Sequence, residues 1–378
     1  MQEILTLTLT GQPAAATHWS CRTLAAQVGV SRMSVNRVWR EHRLKPHRVK
    51  TFKLSNDPRF AAKVQDVVGL YVDPPEHGRY RRLVNPGFST SHIRTLEAQI
   101  RARARALLAT VEPGTVMDVV ERLAVPFPLL VIADLLGVDG DDWPRFRVWT
   151  DLMIEAAQGT TPESEAALGE MAMYFLDLVA ERRVNPRDDL VSLLCTAEVD
   201  GVGLDDGELM MFYGQLLVAG NETTRNLISG ALQAFSEHPD QWARLREHPE
   251  TIPVAVEECL RWTTPVISFM RTATRDVEVR GETIRAGEPV LLVYAAANRD
   301  EEVFGDSATR FDATRDPNPH VSLGFGEHFC LGAVLARLEA RVFLEEATAR
   351  FATIEPAGAV ERLASGVIAG IDRKSTRL

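Results

Sequence analysis

Cys330 is the residue whose surroundings point most clearly to chemistry. It lies in Leu323-Gly324-Phe325-Gly326-Glu327-His328-Phe329-Cys330-Leu331-Gly332. Gly324, Gly326 and Gly332 let backbone pass close to a flat group where side chains would collide. Beyond the cysteine, Leu331, Val334, Leu335, Leu338, Val342 and Phe343 recur at helical spacing, so the thiol sits where a long amphipathic helix begins. A helix N-terminus and loop N–H groups stabilise negative charge on sulfur. This arrangement suits an axial thiolate ligand for haem iron, which pushes electron density into bound oxygen and favours O–O cleavage. An isolated cysteine after a turn is more often buried and inert. The glycine spacing, His328 and the helix behind favour ligation.

The rest of the chain holds polar groups in costly places. Leu204-Asp205-Asp206-Gly207-Glu208 reads as a helix start, with Asp205 as cap and Glu208 completing a capping box. That helix continues into Leu217-Val218-Ala219-Gly220-Asn221-Glu222-Thr223-Thr224, a polar island in an apolar run. The island is either a satisfied bend at glycine and threonine or a working acid–alcohol pair, and both hold together. Glu258 and Arg261 stand one turn apart, and Arg315 follows in Phe311-Asp312-Ala313-Thr314-Arg315. His77 and Arg81 share a helical face at i and i+4. Strand-like runs cover 277–279 with 283–284, and 289–293. Helical patterns cover most of 91–199.

In this order, these motifs resemble the cytochrome P-450 superfamily of haem-thiolate monooxygenases, over about residues 73–378. The family usually has Phe where Leu323 stands, a change in packing rather than ligation. The resemblance implies a mainly α fold with small β-sheets, lacking its usual N-terminal part. It implies haem b, with Cys330 as metal ligand and Phe325, Gly332 and Ala219 beside the macrocycle. His77, Arg81, Arg271 and His320 would hold its propionates, since a buried carboxylate needs pairing. Glu222 would relay protons, and Thr223 would hydrogen-bond the oxygen being activated. Ala219 and Gly220 would leave room for O2. Glu258, Arg261 and Arg315 would form a structural cluster pinning the cysteine loop. Leu217, Val218, Val266, Ile267, Phe269 and the turn at 365–367 would face a hydrophobic substrate of sterol, terpenoid or fatty acyl type. Electrons would come from NAD(P)H through a ferredoxin reductase and a ferredoxin.

The 378 residues, 45% of them hydrophobic, suffice for one large domain or two smaller ones. Cys21, Cys195, Cys259 and Cys330 are widely spaced and form no zinc or disulfide pattern, which fits a reducing cytoplasm. No apolar run approaches a membrane span and no leader pattern opens the chain, so a cytoplasmic protein without a membrane anchor is expected. Net charge is −10, unevenly spread. Residues 1–72 hold eleven Lys/Arg against four Asp/Glu, a balance of +7, and the remainder carries −17.

That shift implies two segments of different origin. Residues 23–31 read as a short helix ending at a glycine turn. Ser31 caps a second helix, Arg32 to about His42, with Val35, Val38 and Trp39 inward, which is the helix-turn-helix plan. Arg32, Ser34, Asn36 and Arg37 would face a DNA groove, and Arg40, Arg43, Lys45, Arg48, Lys50 and Lys53 would meet phosphates. The stretch 19–71 resembles the N-terminal region of mariner-like insertion-sequence transposases. The two resemblances meet at Asp73-Pro74-Pro75-Glu76-His77. The expected domains are therefore 1–72 and 73–378. The competing reading is a DNA-binding fusion, with DNA reached through residues 19–53, or a non-functional chimera.

Overall fold

The structure is a computed structural model that describes residues 21–41, 76–138, 140–156, 161–362 and 367–378. The chain divides into two compact units, Met1–Asp57 and Pro58–Leu378. The boundary expected near 72/73, the basic residues from Arg43 to Lys53 and the turn residue Ser365 lie outside the described residues.

In the first unit, α1 (Cys21–Val28) and α2 (Arg32–Glu41) are joined through Gly29, whose φ of 72° suits a residue without Cβ. The Ser31 hydroxyl accepts from the Ser34 amide, capping α2 as expected. Leu24, Ala25, Val35, Val38 and Trp39 close a small core between the two helices.

The second unit is mainly helical. Its helices used below are α3 (Glu76–Val84), α4 (Glu97–Ala109), α5 (Pro126–Leu136), α6 (Trp143–Ala156), α7 (Pro162–Val184), α8 (Asp206–Glu237), α9 (Ile252–Thr263) and α10 (Ala333–Arg350). The strands are β1 (Val116–Asp118), β2 (Ser268–Thr272), β3 (Val277–Val279), β4 (Glu282–Ile284), β5 (Pro289–Val293), β6 (Glu355–Arg362) and β7 (Ile371–Arg377). One antiparallel sheet has the order β1-β7-β6. β2 pairs with β5, Ser268 opposite Val293, and β3 with β4 forms a hairpin. The β3–β4 hairpin and β5 match the runs read from sequence, whereas β1, β2, β6 and β7 were not among them.

α8 is the central element, 32 residues long. Its start is the expected capping box: the Asp205 carboxylate accepts from the Glu208 amide, and Glu208 accepts from the Asp205 amide. Its apolar residues join one core with those of α5, α9 and α10, including Phe127, Leu217, Phe235, Leu260, Leu338 and Phe343. Phe127 meets Phe343 with ring centres 5.3 Å apart, locking α5 onto α10. α4 is also fastened to α10: Arg101 pairs with Glu345 and Glu346, and Arg341 with Glu97. Among the described residues, no helix is long and apolar enough to cross a membrane.

Candidate active site

The cysteine loop is closed by its own backbone. The Cys330 amide donates to the Leu323 carbonyl at 2.9 Å, Gly324 N–H to Val321, and Phe329 N–H to Gly326. Gly324 and Gly326 both have φ of 71°, a conformation that L side chains rarely adopt. Leu331 and Gly332 form a turn and α10 starts at Ala333, two residues later than the apolar spacing implied. The Cys330 side chain is half-buried. Burial raises its pKa, while the Gly332 N–H and the charges of Arg81 and Arg337 pull it back down.

The surroundings fit haem. Phe325 and Phe329 expose apolar rings, Phe325 by 61%. No atom lies within 4 Å of where a Cβ would stand on Gly326 or Gly332, so the backbone there offers a bare face. Polar groups gather at one edge. His77, buried on α3, meets His328 with ring centres 4.2 Å apart and ring planes inclined by 43°. Arg81, one turn on, donates to the Phe329 carbonyl at 2.6 Å. Burial, aided by the Arg81 charge and opposed by Glu327, lowers the His77 pKa. α3 is held in place by Arg79 and Tyr80, which both donate to Glu208 at the start of α8. Arg271 on β2 lies over the Phe269 ring, 5.5 Å away. Phe269 meets Tyr294, and Tyr294 meets Phe325, so an aromatic chain joins β2 to the cysteine loop.

His320 does not belong to that group. Its Nδ1 accepts from the Ser322 amide and its Nε2 donates to Glu257 at 3.0 Å. Both nitrogens are engaged, so it has no donor left for a propionate. His328, which contacts His77, was read as part of the cysteine loop but not as a member of this polar group. Its place two residues before Cys330 was the available signal.

The Glu258–Arg261–Arg315 cluster assembles as expected. Arg261 donates to both Glu258 oxygens at 2.7 Å, and Arg315 to one of them at 3.1 Å. Asp312 N–H and Asn318 add two more donors. Arg261 also reaches the carbonyls of Asn298, Ala308 and Arg310. Asn298 in turn donates to Ser322 and accepts from the Val321 amide, so the network extends to the strand of chain feeding Cys330.

α8 is continuous through the polar island. The Thr223 hydroxyl donates back to the Ala219 carbonyl at 2.6 Å, supplementing the helix ladder rather than replacing it. Gly220 does not leave space for oxygen. A Cβ there would meet Ile132 at 3.1 Å, so its small size serves α8–α5 packing. Ala219 is exposed and Thr223 half-buried, on one side of the helix. Glu222 is buried. It accepts from Arg225 at 3.1 Å and Asn226 at 3.2 Å, and its pKa is raised because burial outweighs both. Asn221 Oδ1 and Asn226 Oδ1, also buried, have no partner among the described residues.

Leu217 is not substrate-facing: it is fully buried in the main core, because α8 turns that position toward its packing partners. Val218, its neighbour, is half-buried, as are Val266, Ile267 and Phe269. Ile267 N–H donates to the Val367 carbonyl, and Val266 pairs with Ile368, so two distant apolar segments form one wall.

A fold of this kind with a cysteine in a glycine loop before its last long helix defines a haem-thiolate class. The comparisons agree. The cytochrome P-450 family model matches residues 252–365. The steroid C26-monooxygenase of Mycolicibacterium smegmatis is 40% identical over 317 residues, covering 83% of this chain and 73% of that protein. The linalool 8-monooxygenase of Pseudomonas putida is 40% identical over 311 residues, covering 80% and 75%. The crystal structure of CYP109E1 from Bacillus megaterium with testosterone superposes with a TM-score of 0.76 at 36% identity, covering 82% and 85%. This chain belongs to the cytochrome P-450 family of monooxygenases, which use haem b, O2 and electrons derived from NAD(P)H.

Proposed function

We propose that this protein inserts one oxygen atom of O2 into a hydrophobic small molecule of sterol, terpenoid or fatty acyl type. The observation that carries this reading is the closed glycine loop presenting a half-buried Cys330 between bare backbone and exposed aromatic rings. Haem b held by Cys330 would supply the iron centre that activates O2. His77, Arg81 and His328 would hold its carboxylates, with Arg271 approaching from β2. Glu222 would take up and release protons, because burial raises its pKa above the ordinary carboxylate value. The Thr223 hydroxyl would turn from Ala219 to orient the reacting oxygen. Val218, Val266, Ile267 and Phe269 would bind an apolar substrate and exclude water. The steroid and terpenoid names of the relatives support that substrate class. Electrons would arrive through a ferredoxin and its reductase in the cytoplasm. We place the haem unit at about 73–378 and a separate small unit at 1–72.

The test is the absorption spectrum of the reduced, carbon monoxide-treated chain. A strongly red-shifted Soret band that is lost in Cys330→Ala is expected. A wild-type band typical of histidine or neutral thiol ligation overturns the reading.

For the first unit, a DNA contact is the second reading. It is favoured by Arg32, Asn36 and Arg37, all exposed on α2 beside its capped start. DNA binding that weakens steeply with salt would support it; no binding at low salt would end it.

A further inference from the structure

Asn298 follows the single helical turn Tyr294–Ala297 and is fully buried between two segments distant in sequence. Its Nδ2 donates to the Thr264 hydroxyl at 2.9 Å and to the Ser322 hydroxyl at 2.8 Å. Its Oδ1 accepts from the Val321 amide at 2.8 Å, and its carbonyl accepts from Arg261. Thr264 stands two residues before Val266, where the apolar wall of Val266, Ile267 and Phe269 begins. Val321 and Ser322 lead into the cysteine loop. One amide side chain therefore holds both segments, with both of its N–H groups used.

The same turn links the two segments again at its other end. The Tyr294 ring meets Phe269 of the wall at 5.8 Å and Phe325 of the loop at 6.5 Å. The Ala295 amide donates to the Ile267 carbonyl at 3.2 Å. The wall also starts from a constrained residue. Thr264 has φ of 41°, in the left-handed region that disfavours a β-branched side chain, and such a conformation persists only where neighbours hold it. The Thr264 hydroxyl donates to the Arg261 carbonyl and accepts from Asn298, so Asn298 helps to hold it.

We propose that Asn298 is a positioning residue that sets the substrate wall against the cysteine loop, so that an apolar substrate on Ile267 and Phe269 is felt at Val321 and Ser322. This rests on the wall being the substrate wall. A buried amide with both N–H groups engaged has one favoured arrangement. A shift of the wall must then either carry the loop with it or break a bond.

The experiment is hydrogen exchange of the haem-loaded full chain, read over 264–269 and 320–326, with and without a sterol alcohol as apolar probe. In wild type the probe slows exchange in both segments. Thr264→Val keeps a similar shape and removes the hydroxyl. It is expected to speed exchange at Val321 by about tenfold, within the usual range of coupling between two sites, and to confine the probe's protection to the wall. Ser322→Ala cuts the link from the loop side and is expected to speed exchange at Ile267 in the same range. Thr264→Ser keeps the hydroxyl and restores the wild-type pattern. The shift of the haem band per haem at saturating probe falls in Thr264→Val and recovers in Thr264→Ser, which a loss of folded protein alone does not produce. Exchange that changes only beside each substitution overturns the proposal and leaves two separate local bonds. If one variant takes up no haem, the other decides alone. A probe that protects neither segment in wild type overturns the substrate wall and the proposal with it, and a link still seen in the unliganded variants is then structural only.

Discussion

Glu258 and Glu222 are both carboxylates buried inside long helices, and they are treated very differently. Glu258 accepts five hydrogen bonds, from Arg261 twice, Arg315, Asn318 and the Asp312 amide. Glu222 accepts two longer ones from its own helix, and burial raises its pKa. Beside it, Asn221 Oδ1 and Asn226 Oδ1 have no partner among the described residues. A buried carboxylate surrounded by donors is fixed in both charge and position. One with few donors is held near the point where it can gain or lose a proton. The first kind builds the scaffold under the cysteine loop. The second kind suits proton transfer, and its poor satisfaction is part of that role.

The contrast breaks most visibly at the scaffold. Arg261→Ala strands the Glu258 charge and frees the carbonyls of Asn298, Ala308 and Arg310. A loss of about 3–5 kcal/mol in denaturant unfolding, with poor haem retention, is expected. A loss below about 1 kcal/mol, the range of an exposed pair, would show that the cluster is not a single satisfied unit.

Glu222→Gln should do the reverse. Turnover should fall by about 100-fold, the scale of a lost general acid, while stability holds or rises. The pH dependence sharpens this. The folded-state pKa of Glu222 is raised above the ordinary value of 4.5, so the folded protein binds that proton more tightly than the unfolded chain. The resulting stability is full below 4.5 and is lost as pH rises through the folded pKa. Wild type and Glu222→Gln should therefore be most alike in acid, and the variant should gain relative stability as pH increases. Urea unfolding of both proteins across this range measures the gap. A gap that opens the other way, with wild type gaining on the variant as pH rises, would mean that Glu222 is held as a stable anion, like Glu258.

Residue type and spacing carried much of this site. The glycine loop, the Asp205–Glu208 box, the Glu258–Arg261–Arg315 cluster, the β3–β4 hairpin and β5 were all legible, because each is a local pattern with few geometric solutions. Two errors have one cause. His320 stands four residues before Gly324 and His328 two residues after Gly326, but only the fold shows that Glu257 takes the first and His77 meets the second. Leu217 and Val218 are adjacent and apolar, yet 100° of helical rotation sends one into the core. Which way a side chain points depends on the elements packed around it. Glu257 and Arg337 escaped notice for the same reason: they are 80 positions apart and meet only across α9 and α10.

The smallest effect tests that rotation directly. Val218→Ala trims a half-buried side chain, and if it lines the substrate wall, affinity for an apolar ligand should fall by about 1 kcal/mol, near the value of one or two buried methyl groups. Unfolding stability should change less than in Leu217→Ala, where the truncated side chain lies in the closed core. Spectral titration with a sterol or terpenoid alcohol reports the first quantity and urea unfolding the second. If Leu217→Ala weakens ligand binding and Val218→Ala does not, the helix face has been misassigned. The acid and alcohol of the polar island would then have to be reassigned with it, since Ala219 and Thr223 were placed by the same rotation of α8.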